Sequence, residues 1–436
     1  MKTFEESLLG GAQDLPPGPE FVAAARRAGR EGFERGGLPT TRQEDWRFTS
    51  LAALQTQVFG HGSGAAAVDA AEIARVAGAP FGPRLVFVNG HFRADLSTAH
   101  GFPAGVRASS LHHAVAVSPA QVEPHLARTV PVEGRPFVAL NTAFLGDGAY
   151  VHVGGASADV PVELLFLTVA RDGPVASHPR VLVVADPGSA AAVVETHVAV
   201  GEHPSLSNGV TEVVLGRGAR LDHYQVQAQP GNAFHFTTVA ARQDAGAAFS
   251  THSTALGAAL SRSDVLARLA GEGAEAHVAG LYMADGKRLV DNHSVIEHAV
   301  PRCTSRELFK GVLDGDARGV FAGRIRVLEG ASKTDAHQVN SNLLLSRDAW
   351  VDSMPQLEIY TDDVKAGHGG TVGELDREAL FYLRSRGIPP ARARTLLIYA
   401  FAREMVDRVA PAALRQRVGR LVAARLPDGD GILEAA

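Results

Sequence analysis

A turn that recurs at a nearly fixed interval constrains this chain more than any other feature. The pattern is Gly, Asp or Pro, any residue, Gly or Ser, then Ala, followed by a β-prone run. It occurs as Pro187-Gly188-Ser189-Ala190, Gly216-Arg217-Gly218-Ala219, Asp244-Ala245-Gly246-Ala247 and Gly271-Glu272-Gly273-Ala274. Weaker echoes are Gly315-Asp316-Ala317 and Ser346-Arg347-Asp348-Ala349. From alanine to alanine the steps are 29, 28, 27, 43 and 32 residues, so the fourth requires an insertion. A steady period with one small residue per repeat is what a solenoid demands, because each rung must turn in the same place against its neighbour.

The stretches around these turns are β-rich: Leu85–Val88, Val162–Ala170, Val181–Ala185, Ala192–Val200, Val210–Leu215 and Asp222–Gln227. No convincing amphipathic helix lies between them. Strands without helical crossovers stack most economically in parallel, which predicts a mainly β protein with a right-handed parallel β-helix core. A β-sandwich is the alternative, with Asn-Gly hairpin turns for which Asn89-Gly90 and Asn208-Gly209 are candidates.

Both flanks read as helical. Pro19 suits a first helical turn, Phe21, Val22, Ala25, Ala28 and Gly29 offer a small-residue face, and Gly36-Gly37-Leu38-Pro39 ends the run. Thr49 or Ser50 should cap a second piece, and His61-Gly62-Ser63-Gly64 should be a loop. Near the other end, Asp376 is an N-cap candidate and Gly387 a C′ residue. Pro389-Pro390 opens a second helix, and a third follows with Pro411 at its first position; the last ten residues should fray. The expected division is a helical region at 1–80, the β-helix core at 81–370 and a helical region at 371–436.

With 436 residues the chain is too long for one ordinary compact core, and a formal charge of −5 gives no footprint for nucleic acid. No run approaches 18 apolar residues, and Met1 to Gly10 lacks the apolar stretch of a signal peptide, so no membrane span and a cytoplasmic location are expected. The single cysteine, Cys303, cannot form an intrachain disulfide or a cysteine-built cluster site, and reads as a small buried hydrophobe.

Specific runs narrow the reading. Lys333 to Leu345 (KTDAHQVNSNLLL), Pro355 to Lys365 (PQLEIYTDDVK), Gly367 to Gly373 (GHGGTVG) and Leu380 to Ile388 (LFYLRSRGI) together resemble a signature of the SufB/SufD family. Leu38 to Thr49 (LPTTRQEDWRFT) resembles the N-terminal signature of its SufD branch. The resemblance implies a non-catalytic subunit of a SufBCD complex for iron–sulfur cluster assembly. Its implied partners are a SufB-type paralogue and a SufC-type ABC ATPase, with a homodimer possible in isolation. No cofactor is expected to be held stably by the chain alone, only a transient cluster in the complex. Ala366 stands where the family often has cysteine, which leaves His368 as the candidate cluster ligand. Ile359 and Tyr360, on an expected edge strand, are candidates for pairing with the paralogue. Leu397, Phe401, Arg403 and Met405, on the second C-terminal helix, are candidates for meeting the ATPase.

Other features carry less. His223, His252, His277, His293 and His337 lack ligand spacing. His293 with Glu297-His298 is one residue too long for a zinc-protease motif, and Gly280 to Lys287 departs from a phosphate loop. Rival readings are the SufB paralogue itself, disfavoured by the single cysteine and by Trp46 in the SufD-like signature, and a β-helix carbohydrate-active enzyme, which would require carboxylates such as Asp222, Asp244 and Asp264 to converge in one groove.

Overall fold

The computed structural model describes the chain apart from residues 1–4, 6, 7, 13, 14, 99, 156–159, 428, 430 and 432–436. The expected fraying of the last ten residues therefore lies largely outside the described residues. The N-terminal part holds α1 (Glu20–Gly36), α2 (Ala52–Gln55) and α3 (Ala70–Ala77). Three further short helices, α4 (Leu111–Val117), α5 (Pro119–Val122) and α6 (Pro136–Ala143), interrupt the early strands. The sequence reading missed these three. Buried nearly throughout, α6 has no amphipathic stripe to betray it.

The strands begin with β1 (Gly60–His61), β2 (Arg84–Val88), β3 (His91–Phe92), β4 (Val106–Ser110), β5 (Gly148–Val153), β6 (Val162–Val169) and β7 (Val175–Ser177). There follow β8 (Arg180–Ala185), β9 (Ala190–Val200), β10 (Ser205–Leu215), β11 (Arg220–Gln227), β12 (Ala233–Gln243), β13 (Ala248–Ala255) and β14 (Leu260–Leu269). The last seven are β15 (Glu275–Ala284), β16 (Leu289–His298), β17 (Thr304–Leu313), β18 (Arg318–Val327), β19 (Thr334–Leu344), β20 (Trp350–Ile359) and β21 (Val364–Gly373). From β8 onward, even-numbered strands fall in one sheet and odd-numbered strands in the other, each pairing in parallel with the strand two positions on. This is a parallel β-solenoid of about seven turns. The tail is α7 (Arg377–Ser385), α8 (Pro390–Val406) and α9 (Ala412–Ala423).

The recurring turn is one corner of the solenoid, and the reason for its left-handed residue is visible there. Gly188, Gly218, Gly246 and Gly273 have φ of 72, 67, 65 and 71°. Each donates its N–H to the next rung's corner, at the carbonyls of Arg217, Ala245, Glu272 and Pro301. Positive φ aims the amide along the stack, and glycine adopts it without cost. The series does not need the expected insertion. It continues through Arg302 (φ 61°) and Lys333 (φ 58°), whose amides donate to Ser332 and Asp363 carbonyls. Ala317 and Ala349 belong to the opposite corner, where odd-numbered strands hand over to even ones. Cys303 thus takes the small-residue place beside Arg302, fully buried, with its Sγ 3.4 Å from the Gly271 carbonyl.

Of the two Asn-Gly pairs, Asn89-Gly90 does turn a hairpin between β2 and β3. Asn208-Gly209 lies inside β10, where Asn208 donates to the Phe137 carbonyl, so the sandwich is excluded. Residues 60 and 61, expected in a loop, pair in parallel with Val175 and Ala176.

Helices close the outer faces. Phe33, Leu38, Trp46, Leu51 and Phe137 pack on Leu206, Phe234, Phe236 and Leu260 of the even sheet. Trp46 lies under the Arg262 guanidinium, 3.9 Å away, and Arg262 is held by Asp264 and Asp291. Thr49 does not cap a helix; its hydroxyl donates to Asp291 at 2.6 Å. On the odd sheet, Ile398, Tyr399, Ala402, Met405, Val406 and Val418 cover Val194, Tyr224, Leu281, Met283 and Val312. The predicted caps at Asp376 and Gly387 are present, whereas Pro411 precedes α9 as its N-cap instead of opening it.

Candidate functional site

The helical covers stop short of the last rung. Among the described residues nothing follows β20 or β21 in its sheet, so both present one unpaired edge. The N–H groups of Trp350 and Tyr360 donate inward to Ala317 and Val327. By alternation the intervening odd residues, Ile359 among them, point their N–H groups off the sheet. Pro355 is one of these odd positions, where a missing N–H costs no ladder bond. Ile359 is 39% and Tyr360 59% exposed.

His368 sits in the middle of β21, exposed. Its Cα partner on β19 is Gln338, and Ala366 pairs with Ala336. Because Ala336 and Gln338 are fully buried inside the solenoid, Ala366 and His368 share the inward register. His368 therefore stands on the uncapped end of the interior.

That interior is polar near the end. Gln338, Asn340 and Asn342 are buried, while Val339 between them is 39% exposed. Gln338 Nε2 donates to Glu307 Oε2 at 2.5 Å, Asn342 donates to Asn340 at 2.7 Å, and the Ser353 hydroxyl donates to Asn340 at 2.9 Å. Burial raises the Glu307 carboxyl to about 7, the bond from Gln338 pulling the other way. A second buried node lies deeper. Glu195 accepts from His223 at 3.0 Å and Thr211 at 2.6 Å, and lies 3.3 Å from His197. Burial opposes its charge, yet His197 and His223 hold it below the usual carboxylate range. Neither node was anticipated. Its signal was present as polar residues at alternate strand positions, which a period-two reading assigns to solvent.

The other candidates separate. Leu397 and Phe401 are half-buried, Phe401 under the Lys310 ammonium at 4.4 Å, and Arg403 is exposed beside Asp407. Met405 is fully buried against the odd sheet, so its side chain cannot meet a partner while α8 stays packed. α7, by contrast, buries no residue, and Phe381 and Tyr382 are 73% and 57% exposed. His252 bonds the Met405 carbonyl, His293 pairs with Asp291, and His277 and His337 lie beside Glu275 and Asp335 at the surface. Asp222, Asp244 and Asp264 occupy the odd sheet, a corner and the even sheet, and do not converge. A groove of about 640 Å³ lies between α3 and α9. Its Arg417 is engaged by Glu163 and the Ala79 carbonyl.

Among the described residues no helix is long and apolar enough to cross a membrane, and no three His, Cys, Asp or Glu side chains cluster to hold a metal. The geometry defines a helix-covered β-solenoid with one unpaired terminal rung that carries a histidine. Residues 166–401 match the SUF system FeS cluster assembly, SufBD core domain, and residues 18–164 match the SufBD protein N-terminal region. The chain is 32% identical over 431 residues to an iron–sulfur cluster assembly SufBD family protein of Synechocystis, covering 97% of this chain and 94% of that one. It is also 32% identical over 403 residues to the iron–sulfur cluster assembly protein SufD of Escherichia coli, 91% of each. The chain belongs to the SufBD family of iron–sulfur cluster assembly proteins and is SufD-like.

Proposed function

We propose that the chain is a non-catalytic scaffold subunit of a SufBCD-type complex in the cytoplasm. Its terminal rung pairs with a SufB-type paralogue, its C-terminal helices recruit a SufC-type ABC ATPase, and His368 helps to hold the nascent cluster as cargo. The observation that carries the reading is the unpaired rung, β20 with β21, which brings an edge for strand addition and an imidazole donor to one end. Iron accepts histidine in place of thiolate, and Ala366 leaves no cysteine beside it.

The test is His368→Ala in the three-subunit complex, read by iron and acid-labile sulfide. Because the imidazole is exposed, assembly and ATPase rate should change little while iron and sulfide fall severely. His368→Cys should recover part of both. Normal iron and sulfide in the alanine complex would show that His368 does not ligate.

A further inference from the structure

Three successive strands of the odd sheet carry Glu307, Gln338 and His368 in one inward register: Glu307 pairs with Gln338, and Gln338 with His368. We propose that Gln338, anchored on Glu307, is the positioning residue that orients His368 and fixes which of its ring nitrogens keeps the proton. The proposal rests on the reading of His368 as a donor to the cluster.

The string is built from its buried end. Glu307 is buried and forms no ion pair among the described residues, and its Oε2 serves as a hydrogen-bond acceptor. It takes the Gln338 Nε2 donor at 2.5 Å. An amide side chain can otherwise present either end to a neighbour. With its NH2 group committed to Glu307, Gln338 must turn its carbonyl the other way. Gly323 keeps that pose open, since a Cβ there would lie 2.0 Å from Gln338 Nε2.

The Gln338 Oε1 atom is buried and has no partner among the described residues. A buried acceptor without a donor is costly. The next inward side chain along the column is the His368 imidazole, on a strand roughly 4.8 Å away. An imidazole N–H turned onto Gln338 Oε1 satisfies the acceptor. It also leaves the second ring nitrogen unprotonated, with its lone pair available at the open end. Metal-ligating histidines are commonly fixed in this way, by a partner on the nitrogen that does not bind the metal.

The experiment reads the tautomer directly, in the full chain labelled with 15N-histidine, at about pH 8, where a free imidazole is neutral. The His368 signals are assigned by their loss in His368→Ala. Wild type should show one protonated and one unprotonated ring nitrogen at well-separated shifts. Gln338→Leu, which fills the space but cannot accept, should move the pair toward the averaged values of free imidazole. Averaged shifts in wild type overturn the proposal without any variant, as does a separation that survives Gln338→Leu.

In the assembled complex, Gln338→Leu should lower bound iron on the order of tenfold. Unchanged iron despite a freed tautomer would overturn the positioning role. A fixed tautomer with normal iron in His368→Ala would instead overturn the reading of His368, leaving the hydrogen bond in place.

Discussion

Glu307 shows how a single side chain can report on the interior. Burial raises its carboxyl from 4.5 to about 7, so the folded state prefers the proton. The stability this confers is complete below about pH 4.5 and is lost as pH rises through about 7. Above that, the buried charge costs about 3 kcal/mol at 1.36 kcal/mol per pH unit. Glu307→Gln should therefore match wild type near pH 4.5 and exceed it by roughly 2–3 kcal/mol near pH 8.5, read from denaturant midpoints. Identical midpoints at both pH values would mean that Glu307 is not buried as described. Cys303 was legible at this scale as a small buried residue, but its place in the corner series was not. Arg302 and Lys333 hide that series because they adopt positive φ where the earlier turns have glycine.

Among the elements, the strands were legible where apolar residues dominate, as in β6 and β8, and the buried histidine and glutamine positions were not. Alternation tells which residues share a face, and polarity is usually taken to tell which face is wet. In β19 that inference inverts, with Gln338, Asn340 and Asn342 inside and Val339 outside. The C-terminal helices show a related limit. Their existence, the Asp376 cap and the Gly387 stop were readable, but which helix lacks a partner was not. α8 and α9 cover Val194, Tyr224 and Leu281, so deleting them would strip the odd sheet of its apolar cover. A substitution on α7 tests ATPase recruitment more cleanly. Phe381→Glu should weaken SufC-type binding at least tenfold with little change in stability, because exposed positions usually shift it by less than about 0.5 kcal/mol. Binding measured by titration calorimetry at unchanged strength would move the contact elsewhere.

For the whole molecule, the repeat was enough to give a parallel stack, because a steady period with small corner residues admits few alternatives. The layout of helices, strands and helices was legible for the same reason, and the helices inserted at 111–143 were not. The candidate end of the molecule follows from chain order, since the last rung has no successor. Ile359→Pro removes an N–H that points off the sheet and leaves the bonds from β20 to β18 intact. It should reduce pairing with the paralogue, or with a second copy, at least tenfold by sedimentation, with the circular dichroism still β. A mutant that associates at wild-type concentration would place the interface away from this edge.

The two ends of the stack are not equivalent. The corner amides all point forward, from Gly188 to the final bond between Lys333 and Asp363. At the rear, β3 and β4 run antiparallel to their neighbours and are only 2 and 5 residues long. A stack with two matching open ends could grow head to tail into a filament, as exposed strand edges tend to do. This one offers a full-length parallel edge at one end only. Were two such chains to close on each other, no further full-length edge would remain among the described residues with which to polymerise.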